Sequence, residues 1–173
     1  TEPQPLPWRN ADGEVVYSTI VEGWYWRPEV DMVRELYPER VEVVEGWEWR
    51  PADDSRPWAD VLLPMFERRR ELKAVGDPCQ MAFKLGPNSL YGKMAQRTGW
   101  DVVNSTPPRS HTLSLAGFIT SYCRALIMRV VHQIPATDLI AVETDGIYCT
   151  TPPDSLELPN GIGPELGQWE VES

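Results

Sequence analysis

The sequence is short of cysteine, histidine and positive charge. It has three cysteines among 173 residues, Cys79, Cys123 and Cys149. They cannot all pair and have no metal-ligand spacing, which excludes a disulfide scaffold and a zinc module and fits reduced intracellular thiols. The two histidines, His111 and His132, lack partners at metal or triad spacing. No apolar run reaches the ~18 residues of a membrane-spanning helix, and no charged-then-apolar start marks a signal peptide. A cytoplasmic protein with no membrane partner is the expectation. Lysine plus arginine number 16 against 26 acids, a net charge of −10, which argues against a small basic nucleic-acid module. The length fits a domain of ~50–250 residues, and the composition is neither disordered nor low-complexity.

The charge is unevenly spread. Residues 1–60 carry a balance of −8, residues 61–100 a balance of +4, and residues 101–173 a balance of −6. A basic island thus sits inside an acidic chain. Local sign, not the total, governs how an anionic ligand is held in a cleft.

Seventeen prolines and eight tryptophans punctuate the chain. The opening TEPQPLPWRNADG reads as a start in mid-domain. Residues 14–20 suit a strand. An octapeptide then occurs twice, VEGWYWRP at 21–28 and VEGWEWRP at 44–51. Its tryptophans lie two apart, so in a strand each pair shares a face. The favoured reading is two short strands whose tryptophans cover a core, with residues 40–49 forming the second; an aromatic ligand platform is the other. Pro28 to about Tyr37 reads as a short helix. From about Ala59 an apolar-periodic helix runs to Gly76, with Pro64 tolerated in its first turns. Asp77-Pro78 starts a second helix that runs to about Ala95, giving a helical hairpin. A polar loop covers 99–110. A long apolar helix over about 112–134 follows, packed on a sheet. LIAVE at 139–143 and IYCTT at 147–151 flank Thr144-Asp145-Gly146 as a β-hairpin. Strands with segregated helices make the class α+β.

Two features carry chemistry. Arg69 and Lys73 are four apart and share a helix face; Lys84, Asn88 and Tyr91 share another. Three cations and an amide converging from two antiparallel helices would suit a triphosphate. By spacing alone, a solvated run of Arg68, Arg69 and Arg70 paired with Glu67 and Glu71 is the simpler account. Glu143 and Asp145, two apart on a tight turn, suit Mg²⁺, which takes one or two carboxylates plus substrate phosphates. Phosphoryl transfer uses both features.

These residues carry a resemblance. KLGPNSLYGKMAQ at 84–96 resembles motif B of family B DNA polymerases, K-x-x-x-N-S-x-Y-G. ERRRELK at 67–73 is similar to the preceding fingers helix of that family. ETDGIY at 143–148 stands where motif C is expected, and LGQWEV at 166–171 resembles the segment after it. FITSYCR lies in a helix similar to the palm helix between motifs B and C. Phage members, including the protein-primed branch, look nearest.

The resemblance implies a partial palm, with an antiparallel sheet and a packed helix, plus helical-hairpin fingers. Residues 1–58 would be palm-proximal, 59–97 fingers, and 98–173 palm with motif C. It implies dNMP transfer from a dNTP to a primer hydroxyl with release of pyrophosphate. Primer-template DNA and dNTP would be partners, with a terminal priming protein if the chain is protein-primed. Arg69, Lys73 and Lys84 would hold the triphosphate, Lys84 as a catalytic group. Asn88 would support that site, and Tyr91 and Gly92 would lie against the nascent base pair. Asp145 would be the catalytic metal ligand and Glu143 an auxiliary one, in a two-Mg²⁺ site. Glu143 in place of Asp, Gly146 in place of Ser, and Pro87 inside motif B depart from the family pattern. DMVRELYP at 31–38 does not match the family's D-x-x-S-L-Y-P motif A, so motif A and the exonuclease domain are expected upstream and the thumb downstream. The chain alone is then expected to be inactive. Two rival readings remain: a non-enzymatic Trp-rich binding module and a degenerate polymerase domain.

Overall fold

The computed structural model describes residues 6–50, 57–96, 98–108 and 110–172. The chain divides into two compact units, Thr1–Val43 with Gly117–Ser173, and Val44–Ala116. Helices and small antiparallel ribbons are segregated, so the class is α+β.

In the first unit, β1 (Trp8–Arg9) pairs antiparallel with β2 (Val15–Val16) across a turn ordered by Asn10. The strand expected over 14–20 shrinks to these two residues. Helix α1 spans Arg27–Leu36. Pro28 sits in its first turn, where the missing N–H has no helical partner anyway. The buried side of α1 places Met32 and Val33 against Leu6 and Ala125, with Val21, Tyr25 and Met128 around them. This is the core of the unit.

Helix α4, Leu113–Val131, begins in the second unit and continues into the first. It is long and apolar enough, by length and composition, to cross a membrane. Both of its arginines are paired with α1: Arg124 Nε donates to Glu29 Oε1 and Arg129 Nε to Glu35 Oε2, each at 2.7 Å. Near its start, a Cβ at Gly117 would lie 2.5–2.7 Å from the indole of Trp26. Glycine there lets the ring rest on the helix.

After α4 the chain forms β3 (Leu139–Glu143) and β4 (Gly146–Cys149), paired antiparallel with Glu143 opposite Gly146. The closing segment is tied by Trp169, whose Nε1 donates to the Pro159 carbonyl at 2.9 Å.

In the second unit, α2 (Pro57–Ala74) and α3 (Gln80–Met94) pack as a helical hairpin. Gly76, with φ +70, ends α2. The Gly76 N–H bonds the Lys73 carbonyl and the Asp77 N–H the Leu72 carbonyl, a Schellman closure. The Asp77 carboxylate then accepts the Cys79 N–H at 2.8 Å and leads the chain into α3. That contact, with help from Arg68, holds the Asp77 carboxyl below the usual carboxylate range. The helices meet where the methyl of Met65 lies 2.9 Å from a Cβ built on Gly86. Both contact residues adjoin a proline. α2 begins earlier than its periodicity indicates, so Pro64 is interior and not in a first turn. α3 runs on through Pro87.

The repeat corrects the sequence reading. Among the described residues neither octapeptide is a strand, and the strand expected over 40–49 does not form. Trp26 instead precedes α1, and Trp24, Trp47 and Trp49 are exposed, not covering a core. Alternation alone does not make a strand without an edge to pair with.

Candidate functional site

The cationic candidates lie on the α2–α3 hairpin. Arg69 and Lys73 follow the Met65 contact along α2, and Lys84 precedes the Gly86 contact along α3. All three therefore belong to the half of the hairpin nearest its connecting turn. Asn88, Tyr91 and Gly92 lie on the other half. Lys84 and Asn88 stand one turn apart on α3, and Arg69 and Lys73 one turn apart on α2.

Arg68 pairs with Glu71 at 2.6 Å, as the simpler account of the arginine run expects. Arg69 differs. It is half-buried, and its Nε is enclosed without a hydrogen-bond partner. An enclosed guanidinium donor with no acceptor carries an uncompensated desolvation cost, which an anion alongside would offset. Gln80, in the first turn of α3, has an enclosed Oε1 in the same condition. Sequence reasoning missed Gln80, because a glutamine opening a helix carries no motif. Lys84, Asn88, Tyr91 and Gly92 are exposed. A Cβ at Gly92 would meet nothing within 4 Å, so glycine there leaves an open surface on α3.

The acidic candidates lie on the first unit, at the β3–β4 turn. Glu143 closes β3, and Thr144 and Asp145 form the two-residue loop before Gly146. Thr144 has φ 49. A β-branched residue in the left-handed region is strained, and its hydroxyl donates to Asp145 Oδ1 at 3.0 Å. Both carboxylates are exposed. Asp145 makes itself felt on α4: burial first, and then the Asp145 charge, push the Cys123 thiol up, while Arg124 pulls the other way. Among the described residues no three His, Cys, Asp or Glu side chains gather as a metal cage. The donor set the turn offers is two hard carboxylate oxygens, which fits an open Mg²⁺ site completed by phosphate and water.

The remaining singled-out residues are structural. The Tyr37 hydroxyl lies 3.4 Å from His132 Nδ1, and the two rings meet edge to face. Trp100 meets His111 in the same way. The DMVRELYP stretch runs from α1 through Tyr37 to the start of the 3-10 turn Pro38–Arg40, and its Asp31 pairs with Arg27. A groove of about 250 Å³ between α1 and α4, lined by Arg27, Phe118 and Tyr122 among others, contains none of the candidate site residues.

Compared with known proteins, the chain is similar to a protein described as a DNA polymerase from Acidianus bottle-shaped virus (isolate Italy/Pozzuoli). The two are 26% identical over 145 residues, which is 84% of this chain and 18% of that polymerase. The chain therefore spans under a fifth of the length of the relative it matches. No family model matches it, and no solved structure matches it.

Proposed function

We propose that the chain is the part of a family B DNA polymerase that carries nucleotide-binding fingers and the motif C hairpin of the palm. The observation that carries the reading is the α2–α3 hairpin, with Arg69, Lys73 and Lys84 grouped toward its turn and the Asn88–Gly92 segment continuing α3. The likeness to a viral DNA polymerase over most of the chain supports it.

In this reading Arg69, Lys73 and Lys84 neutralise the triphosphate of an incoming dNTP. Arg69 offers a fixed fork, and the lysines offer point charges on flexible stems. Tyr91 and the bare backbone at Gly92 give a surface against which a base pair can rest. Asp145, with Glu143 auxiliary, would hold Mg²⁺. When bound, that ion would supply charge neutralisation at the phosphates. The reaction joins a primer hydroxyl to the α-phosphorus and releases pyrophosphate. Primer-template DNA is the second substrate, and a protein-primed mode would add a terminal priming protein. The second acid of a two-metal site is assigned to a motif A outside residues 1–173.

Nucleotide titration of the chain tests the first half. Arg69→Ala and Lys84→Ala should each weaken dATP binding by roughly tenfold, as loss of a charge-assisted contact does, while Trp24→Ala should not. The reverse pattern would favour a Trp-rich binding module. Primer extension by the full-length polymerase tests the second half. Asp145→Ala should abolish Mg²⁺-dependent extension, and retained extension would sink the assignment. Nucleotide binding with no extension in the unmodified enzyme would mark a degenerate domain.

A further inference from the structure

We propose that Gln80 acts with Arg69 to hold the terminal phosphate of a bound nucleoside triphosphate, so that the α2–α3 hairpin tells a triphosphate from a diphosphate. The inference rests on the nucleotide-binding reading above and adds to it one residue and one selectivity.

The two helices carry an apolar seam. Buried and half-buried positions fall at 59, 62, 65, 66, 69 and 72 on α2 and at 80, 83, 87, 90 and 94 on α3. This is the spacing of one inward side on each helix. Among these described positions only Arg69 and Gln80 are polar. Each has one atom enclosed without a hydrogen-bond partner, a donor at Arg69 Nε and an acceptor at Gln80 Oε1. Neither side chain takes another polar partner among the described residues, and their remaining nitrogens, Arg69 Nη1 and Nη2 and Gln80 Nε2, are open to water.

The hairpin also sets the two residues at nearly one level. Met65 meets Gly86 across it. At about 1.5 Å of rise per residue, Arg69 stands about 6 Å and Gln80 about 9 Å beyond that contact toward the connecting turn. An unpartnered N–H and an unpartnered carbonyl oxygen thus belong to paired helices at heights about 3 Å apart. They are complementary. An anion that draws the open nitrogens together brings the enclosed donor to the enclosed acceptor, and both desolvation costs are offset at once.

The open nitrogens are donors only, as the Arg and Gln groups provide. They suit a ligand that only accepts, as a phosphate does. Position along α3 selects which phosphate. Tyr91, Asn88, Lys84 and Gln80 succeed one another toward the connecting turn at intervals of about one turn. A nucleotide whose base pair rests at Tyr91 and Gly92 sends its phosphates past Asn88 and Lys84. Its last phosphate then reaches the level of Gln80 and Arg69, and a diphosphate ends short of it. The carboxamide adds donors without adding charge, so it discriminates by position.

The test is calorimetric titration of the whole chain with dATP and with dADP at low salt. The parent should prefer dATP. Gln80→Ala should weaken dATP roughly tenfold, as loss of a hydrogen bond to a charged group does, and leave dADP nearly unchanged. Gln80→Lys, which sets an ammonium at the same level, should restore the preference. Gln80→Glu should weaken dATP further than Gln80→Ala while melting no lower than the parent, because its carboxylate can accept from Arg69 Nε. Met81→Ala, at an exposed neighbour on α3, should change neither affinity. Lys84→Ala should weaken both nucleotides. An unchanged preference in Gln80→Ala beside weakened binding in Lys84→Ala overturns this inference and leaves the nucleotide-binding reading standing. Equal loss of dATP and dADP in Gln80→Ala marks a structural role and also overturns it. Absence of saturable binding of either nucleotide to the parent overturns both.

Discussion

The indole of Trp26 occupies the space that any side chain at Gly117 would need. Alanine is the better helix former by about 1 kcal/mol, but a methyl forced against a rigid ring costs about 1–3 kcal/mol. Gly117→Ala should therefore destabilise the chain by about 1 kcal/mol in urea denaturation. In a Trp26→Ala background the clash is absent, and the same substitution should stabilise by about 1 kcal/mol. An unchanged sign in the two backgrounds would show that the ring does not rest there.

The Glu29–Arg124 pair is lopsided. The Glu29 side chain is 4% exposed and that of Arg124 is 48% exposed. Removing the arginine strands a carboxylate inside; removing the carboxylate's charge leaves an arginine that water can reach. Arg124→Ala should cost about 2–3 kcal/mol and Glu29→Gln about 1 kcal/mol. Equal losses in chemical denaturation would contradict this asymmetry.

Cys123 reports on the hairpin turn. Burial and the Asp145 charge both disfavour its thiolate. In a Cys79→Ser, Cys149→Ser background, Asp145→Asn should speed alkylation at pH 8 by roughly two- to fivefold. Burial remains, so the thiol should stay less reactive than a free cysteine. Millimolar Mg²⁺ should speed alkylation in the parent and not in Asp145→Asn. A rate indifferent to Mg²⁺ would count against Asp145 as a metal ligand.

The loop after α3 should respond to acid. Asp101 accepts from the Asn104 side chain at 2.6 Å and from the backbone N–H groups of Val103 and Asn104. These bonds hold its carboxyl below its usual value of 3.8. A depressed folded value means that the stabilisation is present at neutral pH and is lost as the pH falls through that folded value, beneath about 4. An NMR titration should place the Asp101 midpoint under that of an unstructured aspartate. Asp101→Asn should erase this acid limb in the loop's chemical shifts.

Strain at the turn gives a further check. Thr144→Gly relieves a β-branched residue at positive φ, and should raise the unfolding free energy by about 1 kcal/mol.

Much of this was legible in the sequence where local chemistry decides. Gly76 and Asp77-Pro78 announce the hairpin's turn, because a left-handed cap and a fixed φ belong to those residues themselves. The β3–β4 turn is legible for the same reason, as is α1, with Pro28 in its first turn. The tryptophan segments misled because their alternation is a local signal for an outcome that depends on a partner edge, which the fold does not supply. The seating of Trp26 on Gly117 joins residues some ninety positions apart, and no window of sequence contains both. At the candidate site, helical spacing showed which cations share a face. It could not show that Met65 closes on Gly86 across the hairpin, nor that Arg69 and Gln80 each have an enclosed polar atom without a hydrogen-bond partner.

Pro64 and Pro87 have a mechanical consequence. Each denies its helix one rung of hydrogen bonding, to the carbonyls of Asp60 and Phe83, and each lies beside the Met65–Gly86 contact. Helices bend where such rungs are missing. Any bending of the hairpin is therefore favoured at this level, between the Arg69–Lys73 end and the Asn88–Gly92 end.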